Sequence, residues 1–234
     1  MALAARHELK YFISQGQYQI LSRLLGQVLW PDEHADEQNE YHIRSLYFDT
    51  ISDAALHEKV SGVADRNKYR IRFYNFSDRF IRMECKTKID TYISKRSVPI
   101  TRELCEQLIA GDPAGLEHSA SGLMRDVFRE MRINLLRPAV VVDYVREAYV
   151  HPAEEVRITF DKQLRSGLAG TDIFNPHLPV YPPFKNPDQI IMEVKFNRLL
   201  PGYISALLSQ AAGTAHRSAI SKYVICRQYE GLDY

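Results

Sequence analysis

Cysteine is scarce: three in 234 residues, Cys85, Cys105 and Cys226, far apart and without a CxxC pair. An odd set of distant thiols argues against a disulfide framework or a cysteine-built zinc site and fits a reducing compartment. The eight histidines, His216 among them, are scattered without ligand spacing. No apolar run approaches the ~20 residues of a membrane span. Met-Ala-Leu-Ala-Ala before Arg6 is too short and too uncharged for a signal peptide. The expectation is a soluble, cytoplasmic chain. Charge of one sign is lacking too: 30 Lys and Arg stand against 29 Asp and Glu, a formal net charge of +1. That balance gives no global reason to bind nucleic acid or an acidic membrane. With no fixed-period repeat, low-complexity tract or long linker, the expectation is one domain over residues 1–234.

What is present suits a folded core: 45% hydrophobic residues, 25% charged, and 14 tyrosines, which favour strands. Hydrophobic spacing predicts a first strand over Arg6 to Phe12, then a helix capped by Ser14 and running to about Leu29, ended by Trp30-Pro31. Strands are predicted over Tyr41 to Asp49, Tyr69 to Tyr74, Phe80 to Thr87, Thr91 to Ile100, Ala139 to Val150, Glu155 to Leu164 and Gln189 to Phe196, with Lys222 to Tyr229 as a closing strand. Helices are predicted over Asp53 to Lys59, Thr101 to Ala110, Ser121 to Asn134 and Pro201 to Ala212. About eight strands with helices between them read as α+β, with a barrel as the expected sheet.

The charges are local. From Arg66 to Arg96 there are ten Lys or Arg and three Asp or Glu. Side chains alternate along a strand, so Lys68, Arg70 and Arg72 oppose Tyr69, Ile71 and Phe73, while Arg82, Glu84, Lys86 and Lys88 oppose Ile81, Met83 and Cys85. Arg157, Thr159 and Asp161 share a face, as do Glu193 and Lys195, and Arg6, Glu8 and Lys10. One wet face of an antiparallel sheet gives such a pattern with no function at all. Two features favour more: the charges are mostly basic, although like charges across strands repel, and helices are available to cover the apolar side. A basic face turned inward is costly unless an anion or water fills it. Phosphate suits it, because guanidinium forks bind phosphate oxygens in pairs.

The ordered segments Arg6-His-Glu-Leu-Lys-Tyr11, Ser45-Leu-Tyr-Phe-Asp49, Tyr69-Arg-Ile-Arg-Phe73, Glu84-Cys-Lys86, Ser94-Lys-Arg96, Asp143-Tyr-Val-Arg-Glu147, Arg157-Ile-Thr-Phe-Asp161, Met192-Glu-Val-Lys195 and Ser221-Lys-Tyr223 resemble the VTC domain. That is the polyphosphate polymerase domain of the vacuolar transporter chaperone complex, within the CYTH-like triphosphate tunnel metalloenzymes, with free-standing bacterial relatives. The resemblance spans nearly the whole chain. It implies a closed eight-stranded antiparallel barrel, basic inside, with helices packed outside. It implies phosphate contacts from Lys10, Arg70, Arg72, Lys86, Lys95, Tyr144, Arg146, Arg157, Lys195, Ser221 and Lys222, with Lys95 preferred over Arg96. Arg70, Arg72, Lys86, Arg146 and Arg157 would act in catalysis together with Glu193, the metal ligand for Mn²⁺ or Mg²⁺.

One departure bears on the reaction. The phosphatase branch carries Glu-x-Glu-x-Lys on its first strand, and this chain has Arg6 where the first Glu would stand. Losing that carboxylate weakens a two-metal hydrolase and favours transfer of the γ-phosphate from ATP or another nucleoside triphosphate to growing polyphosphate. A metal-dependent tripolyphosphatase or nucleoside triphosphatase, and a non-catalytic polyphosphate-binding module, stay open. So does a membrane or protein partner, since the regulatory and membrane-spanning parts of the eukaryotic polymerase subunits are not in this sequence. No nucleic-acid partner is expected: the basic residues are not interleaved with stacking aromatics.

Overall fold

The structure is a computed structural model that describes residues 7–90, 92–153, 155–213, 215 and 217–231. Its strands are β1 (His7–Ile13), β2 (Trp30–Pro31), β3 (Glu40–Asp49), β4 (Arg66–Tyr74), β5 (Ser77–Ile89), β6 (Tyr92–Ile100), β7 (Arg137–Val150), β8 (Arg157–Ser166) and β9 (Ile190–Phe196). Its α-helices are α1 (Gln15–Leu25), α2 (Ala54–Val60), α3 (Arg102–Ile109), α4 (Gly122–Ile133), α5 (Gly202–Ala212) and α6 (Lys222–Tyr229). The nine strands form one sheet in the order β1-β9-β8-β7-β3-β4-β5-β6, with β2 against β7. The β1–β9, β3–β4, β4–β5, β5–β6 and β8–β9 ladders are antiparallel. The α+β class therefore stands, but a closed eight-stranded ring is not what the ladders draw. Among the described residues the strand order has two ends, β1 and β6, and Lys222 to Tyr229, expected to be the last strand, is helix α6. Its buried residues Tyr223, Cys226 and Arg227 are spaced three and four apart, the period of a helix face. Helical burial overrides the strand preference of its tyrosines and β-branched residues.

Two compact units divide the chain, each assembled from three segments. The first comprises Met1–His42, Tyr144–Leu164 and Phe184–Ser221; the second comprises Ile43–Asp143, Arg165–Pro183 and Lys222–Tyr234. Each holds its own apolar cluster. In the first, Ile13 of β1, Ile158 and Phe160 of β8 and Met192 and Val194 of β9 pack with Leu21 and Leu25 of α1 and Ile204 of α5. In the second, Leu46 and Phe48 of β3, Tyr69, Ile71 and Phe73 of β4 and Met83 and Cys85 of β5 pack with α3 and α4 through Cys105, Leu108, Met124 and Val127. Burying each such aliphatic or aromatic side chain is worth about 1.5–3 kcal/mol. These are the residues that alternation assigns to the apolar face, so the basic residues point the other way.

Local chemistry fixes the element ends. Ser14 caps α1 in a reciprocal capping box with Gln17, and Thr101 and Ser121 cap α3 and α4 by accepting from Leu104 and Met124 N–H. Asn75 and Phe76, at φ +50 and +54, make the tight turn between β4 and β5. Helix α1 stops at Leu25, short of the expected Leu29. Trp30 and Pro31 then pair with Val150 and Tyr149. Among the described residues no helix is long and apolar enough to cross a membrane. Arg6, Thr91 and His216 lie outside the described residues.

Candidate functional site

In the second unit the ladder registers align the basic residues across four strands. Tyr47, Arg70, Glu84 and Ser97 form one row, and Ser45, Arg72, Arg82 and Pro99 the next. A third row places Lys68, Lys86 and Lys95 side by side. Cations aligned in this way repel one another unless neutralised, and two are met here: Lys95 by Glu84, and Lys68 by the Tyr223 ring, whose centre is 5.1 Å from its Nζ. Arg70 donates through Nε to Glu84 Oε2 at 2.7 Å and through Nη1 to the Tyr47 hydroxyl at 2.8 Å. Lys95 holds the other oxygen of Glu84. Arg72 donates to Ser45 Oγ at 3.0 Å, and Arg82 to Ser97 Oγ at 2.7 Å. Arg96 faces the opposite way and pairs with Asp126 of α4 at 2.5 Å. Burial works against the charge of Glu84, which is 1% exposed, yet Arg70, Arg72 and Lys95 hold its pKa down at about 2. Burial likewise raises the Tyr47 hydroxyl, but Arg70, Arg72 and Lys222 reverse that and bring it below its ordinary value. Lys222, the first residue of α6, thus adds its charge to the same face.

In the first unit the register pairs Lys10 with Glu193 and Glu8 with Lys195 across β1 and β9, and Arg157 with Lys195 and Thr159 with Glu193 across β8 and β9. The Glu193 carboxylate, 4% exposed, is met by Lys195 Nζ at 2.9 Å, Lys10 Nζ at 3.3 Å and Arg146 Nη2 at 4.0 Å. Arg146 is fixed by two hydrogen bonds to Asp161, at 2.6 and 2.8 Å, with its guanidinium 5.3 Å from the Tyr144 ring centre. Burial opposes the charge on Arg146, but Asp161, Tyr144 and Glu193 outweigh it and keep the group protonated. Arg157 binds Asp32 at 2.5 Å and the Tyr41 hydroxyl at 2.8 Å. Lys10 also reaches Glu8 at 3.0 Å and the carbonyl of Ile220 at 3.4 Å, next to Ser221. Burial lowers Lys195 to about 8, against the pull of Glu193 and Glu8.

The structure thus gathers Lys10, Tyr144, Arg146, Glu193 and Lys195 in one unit, with Arg157 in register beside them. In the other it gathers Arg70, Arg72, Lys86, Lys95 and Lys222. Sequence reading gave no role to Glu84, Tyr47 or Thr159. The signal was present for each, because all three sit at the polar phase of their strands.

Among the described residues no group of three or more His, Cys, Asp or Glu could hold a metal ion. Oxygen donors of the type that Mg²⁺ or Mn²⁺ takes are present at Glu193, although Lys10, Lys195 and Arg146 already meet that carboxylate. Glu193 and Glu8 both reach Lys10, and the Thr159 hydroxyl, opposite Glu193 in register, is buried without a hydrogen-bond partner. Mg²⁺ is commonly held by one or two carboxylates, with phosphate oxygens and water completing its shell.

The sequence profile of the VTC domain matches residues 5–230. A search of curated proteins finds no match. Among solved structures the chain is similar to a candidate adenylate cyclase from Bacillus halodurans, at TM-score 0.52 and 14% identity over 93% of this chain and 96% of that one. It is also similar to a candidate adenylate cyclase from Vibrio parahaemolyticus, at TM-score 0.48 and 12% identity over 94% and 96%. A Mimivirus capping enzyme triphosphatase aligns at TM-score 0.44 and 11% identity over 91% and 89%. At 14% identity the first likeness speaks for the fold alone.

Proposed function

Since this chain belongs to the VTC domain family, we propose that it binds a nucleoside triphosphate such as ATP, or polyphosphate, on its basic strand faces and transfers the γ-phosphate to a growing polyphosphate chain. One functional domain over residues 1–234 and a cytoplasmic location are part of this proposal. The observation that supports it most is the Lys68-Lys86-Lys95 row beside Arg70 and Arg72, five cations in adjacent rows of one strand face, a charge density that a polyvalent phosphate matches.

Phosphoryl transfer asks the protein mainly for positioning and charge neutralisation. Arg70, Arg72, Lys86 and Lys95 align phosphate oxygens by charge, and the two arginines also by their donor forks. Lys222 adds to that face, and Tyr144 and Ser221 add hydroxyl contacts. Lys10, Arg146, Arg157 and Lys195 stabilise negative charge that grows on transfer. Glu193 would hold Mn²⁺ or Mg²⁺, which would supply further neutralisation of phosphate charge. The acceptor phosphate is already an oxyanion, so no strong general base is needed. If water takes its place, the same residues support hydrolysis.

The test incubates the protein with ATP labelled in its γ-phosphate, Mn²⁺ and a short polyphosphate primer, and resolves the products on a gel. A labelled ladder, lost in Glu193→Gln and Arg70→Ala, is the expected result. Labelled free phosphate without a ladder would replace this reading by a triphosphatase. Binding without turnover would leave a polyphosphate-binding module.

A further inference from the structure

The second unit carries an open groove of about 740 Å³ where β4 begins and β5 ends, lined by Asn67, Tyr69 and Thr87 from the strand phase opposite Arg70 and by Arg66 and Lys88 from the Arg70 phase. Among the described residues of this unit, five large hydrophobic side chains are more than half exposed: Ile51, Phe80, Ile89, Ile133 and Leu135. Four of the five line this one groove; Phe80 does not. Scattered exposed hydrophobics are ordinary, but their concentration in one place marks an interaction site.

The backbone adds a second observation. Leu135 sits at φ +51, a conformation that bulky side chains rarely adopt, and in it the side chain is 53% exposed. Asp53 and Asp90, close in sequence to Ile51 and Ile89, have φ +54 and +51. The unusual φ of Leu135 thus accompanies a bulky side chain that stays half exposed at the groove.

Charge selects the occupant. Glu58, Asp65 and Glu130 line the groove against Arg66 and Lys88. Arg66 is turned to the Val63 carbonyl. Asp49, at the floor, is already taken by the N–H groups of Ala55 and Leu56 and by the Tyr223 hydroxyl. Burial, Asp49 and Glu130 raise the pKa of Glu58 against the pull of Arg66, so a cation placed there relieves the carboxylate. With Asp49 the lining holds four carboxylates against Arg66 and Lys88, a net negative set that disfavours an anionic occupant.

We infer that this groove docks a peptide segment of a partner protein, one that presents aliphatic side chains around a lysine or arginine. The rim of Ile51, Ile89, Ile133 and Leu135 covers the aliphatic anchors, and Glu58 and Glu130 receive the cation. This inference is independent of the reaction proposed above, because none of the residues assigned there to phosphate lines the groove.

The experiment measures fluorescence anisotropy of a labelled amphipathic Leu/Lys peptide titrated with the full chain, beside a Leu/Glu counterpart. The chain is expected to bind the first and not the second. Binding should weaken at least about tenfold in an Ile133→Ser, Leu135→Gly double variant and in Glu58→Gln. Both variants should fold: Ile133 is exposed, glycine relieves the φ of Leu135, and Glu58→Gln keeps the side-chain shape. Failure to bind the Leu/Lys peptide, equal binding of both peptides, or equal binding by all variants would overturn the proposal. Two further arms name other occupants. Sedimentation with phosphatidylcholine vesicles, lost in the double variant, would give the groove to a lipid surface. Self-association lost in that variant would give it to a second copy of this chain. Either result also overturns the proposal.

Discussion

Arg70 and Glu84 face each other across the β4–β5 ladder and are joined by two arginine nitrogens, Nε at 2.7 Å and Nη2 at 2.6 Å from the same oxygen. Glu84 thus occupies part of the donor fork that a phosphate would use. Glu193 stands in the same relation to Lys10, Lys195 and Arg146 in the other unit.

If Glu84 competes with bound anion for Arg70 and Lys95, Glu84→Gln should bind tripolyphosphate about tenfold more tightly at fixed ionic strength. Isothermal titration calorimetry measures this. Unchanged or weaker binding would show that Glu84 serves only to hold the arginine in place.

The same carboxylate should set an acid limb of stability. Its pKa is about 2 in the fold against an ordinary 4.5. The contribution is therefore full above about pH 4.5 and is lost as pH falls towards 2. It is worth on the order of 3 kcal/mol. Urea unfolding of the protein between these pH values should show the loss, and Glu84→Gln should flatten it.

Lys195, lowered to about 8 by burial, should make anion binding fade as pH rises through that value, because the ammonium loses its proton. Between about 8 and the ordinary 10.5 the unfolded chain binds more protons at this group, so its contribution to stability rises with pH. Lys195→Met should remove both dependences. A tripolyphosphate affinity with the same pH profile in protein and variant would contradict this.

The buried pair of Arg44 and Asp143, joined at 2.8 Å through both Nε and Nη2, is a structural clamp. Arg44 is 1% exposed and also donates to the carbonyls of Ile173 and Asn175. Asp143→Ala should cost roughly 3–5 kcal/mol in urea unfolding, since it leaves a buried cation uncompensated.

A smaller effect is expected at the α1 cap. Ser14 accepts from Gln17 N–H at 3.2 Å, and its own N–H donates to Gln17 Oε1 at 2.9 Å. Ser14→Ala should lower stability by about 1 kcal/mol, read from the thermal midpoint.

Alternation along β4 and β5, the polar phase of Glu193 and Lys195, the cap at Ser14 and the helix starts at Thr101 and Ser121 were all legible in the amino-acid sequence. Each is written in residues two to four positions apart, within reach of a single strand or helix turn. The stretch Lys222–Tyr229 was misread for the same reason. Its tyrosines, valine and isoleucine satisfy a strand locally, whereas the helix is selected by what its face buries: Tyr223 against Tyr47 and onto Asp49, and Cys226 towards the Arg165 carbonyl. Tertiary structure alone decided which strands became neighbours. Glu84 meets Arg70 and Lys95, and Glu193 meets Lys10, only through registers between segments distant in sequence. Side-chain phase is a property of one strand's geometry, but partner choice depends on how distant apolar faces pack together, and no local pattern contains that.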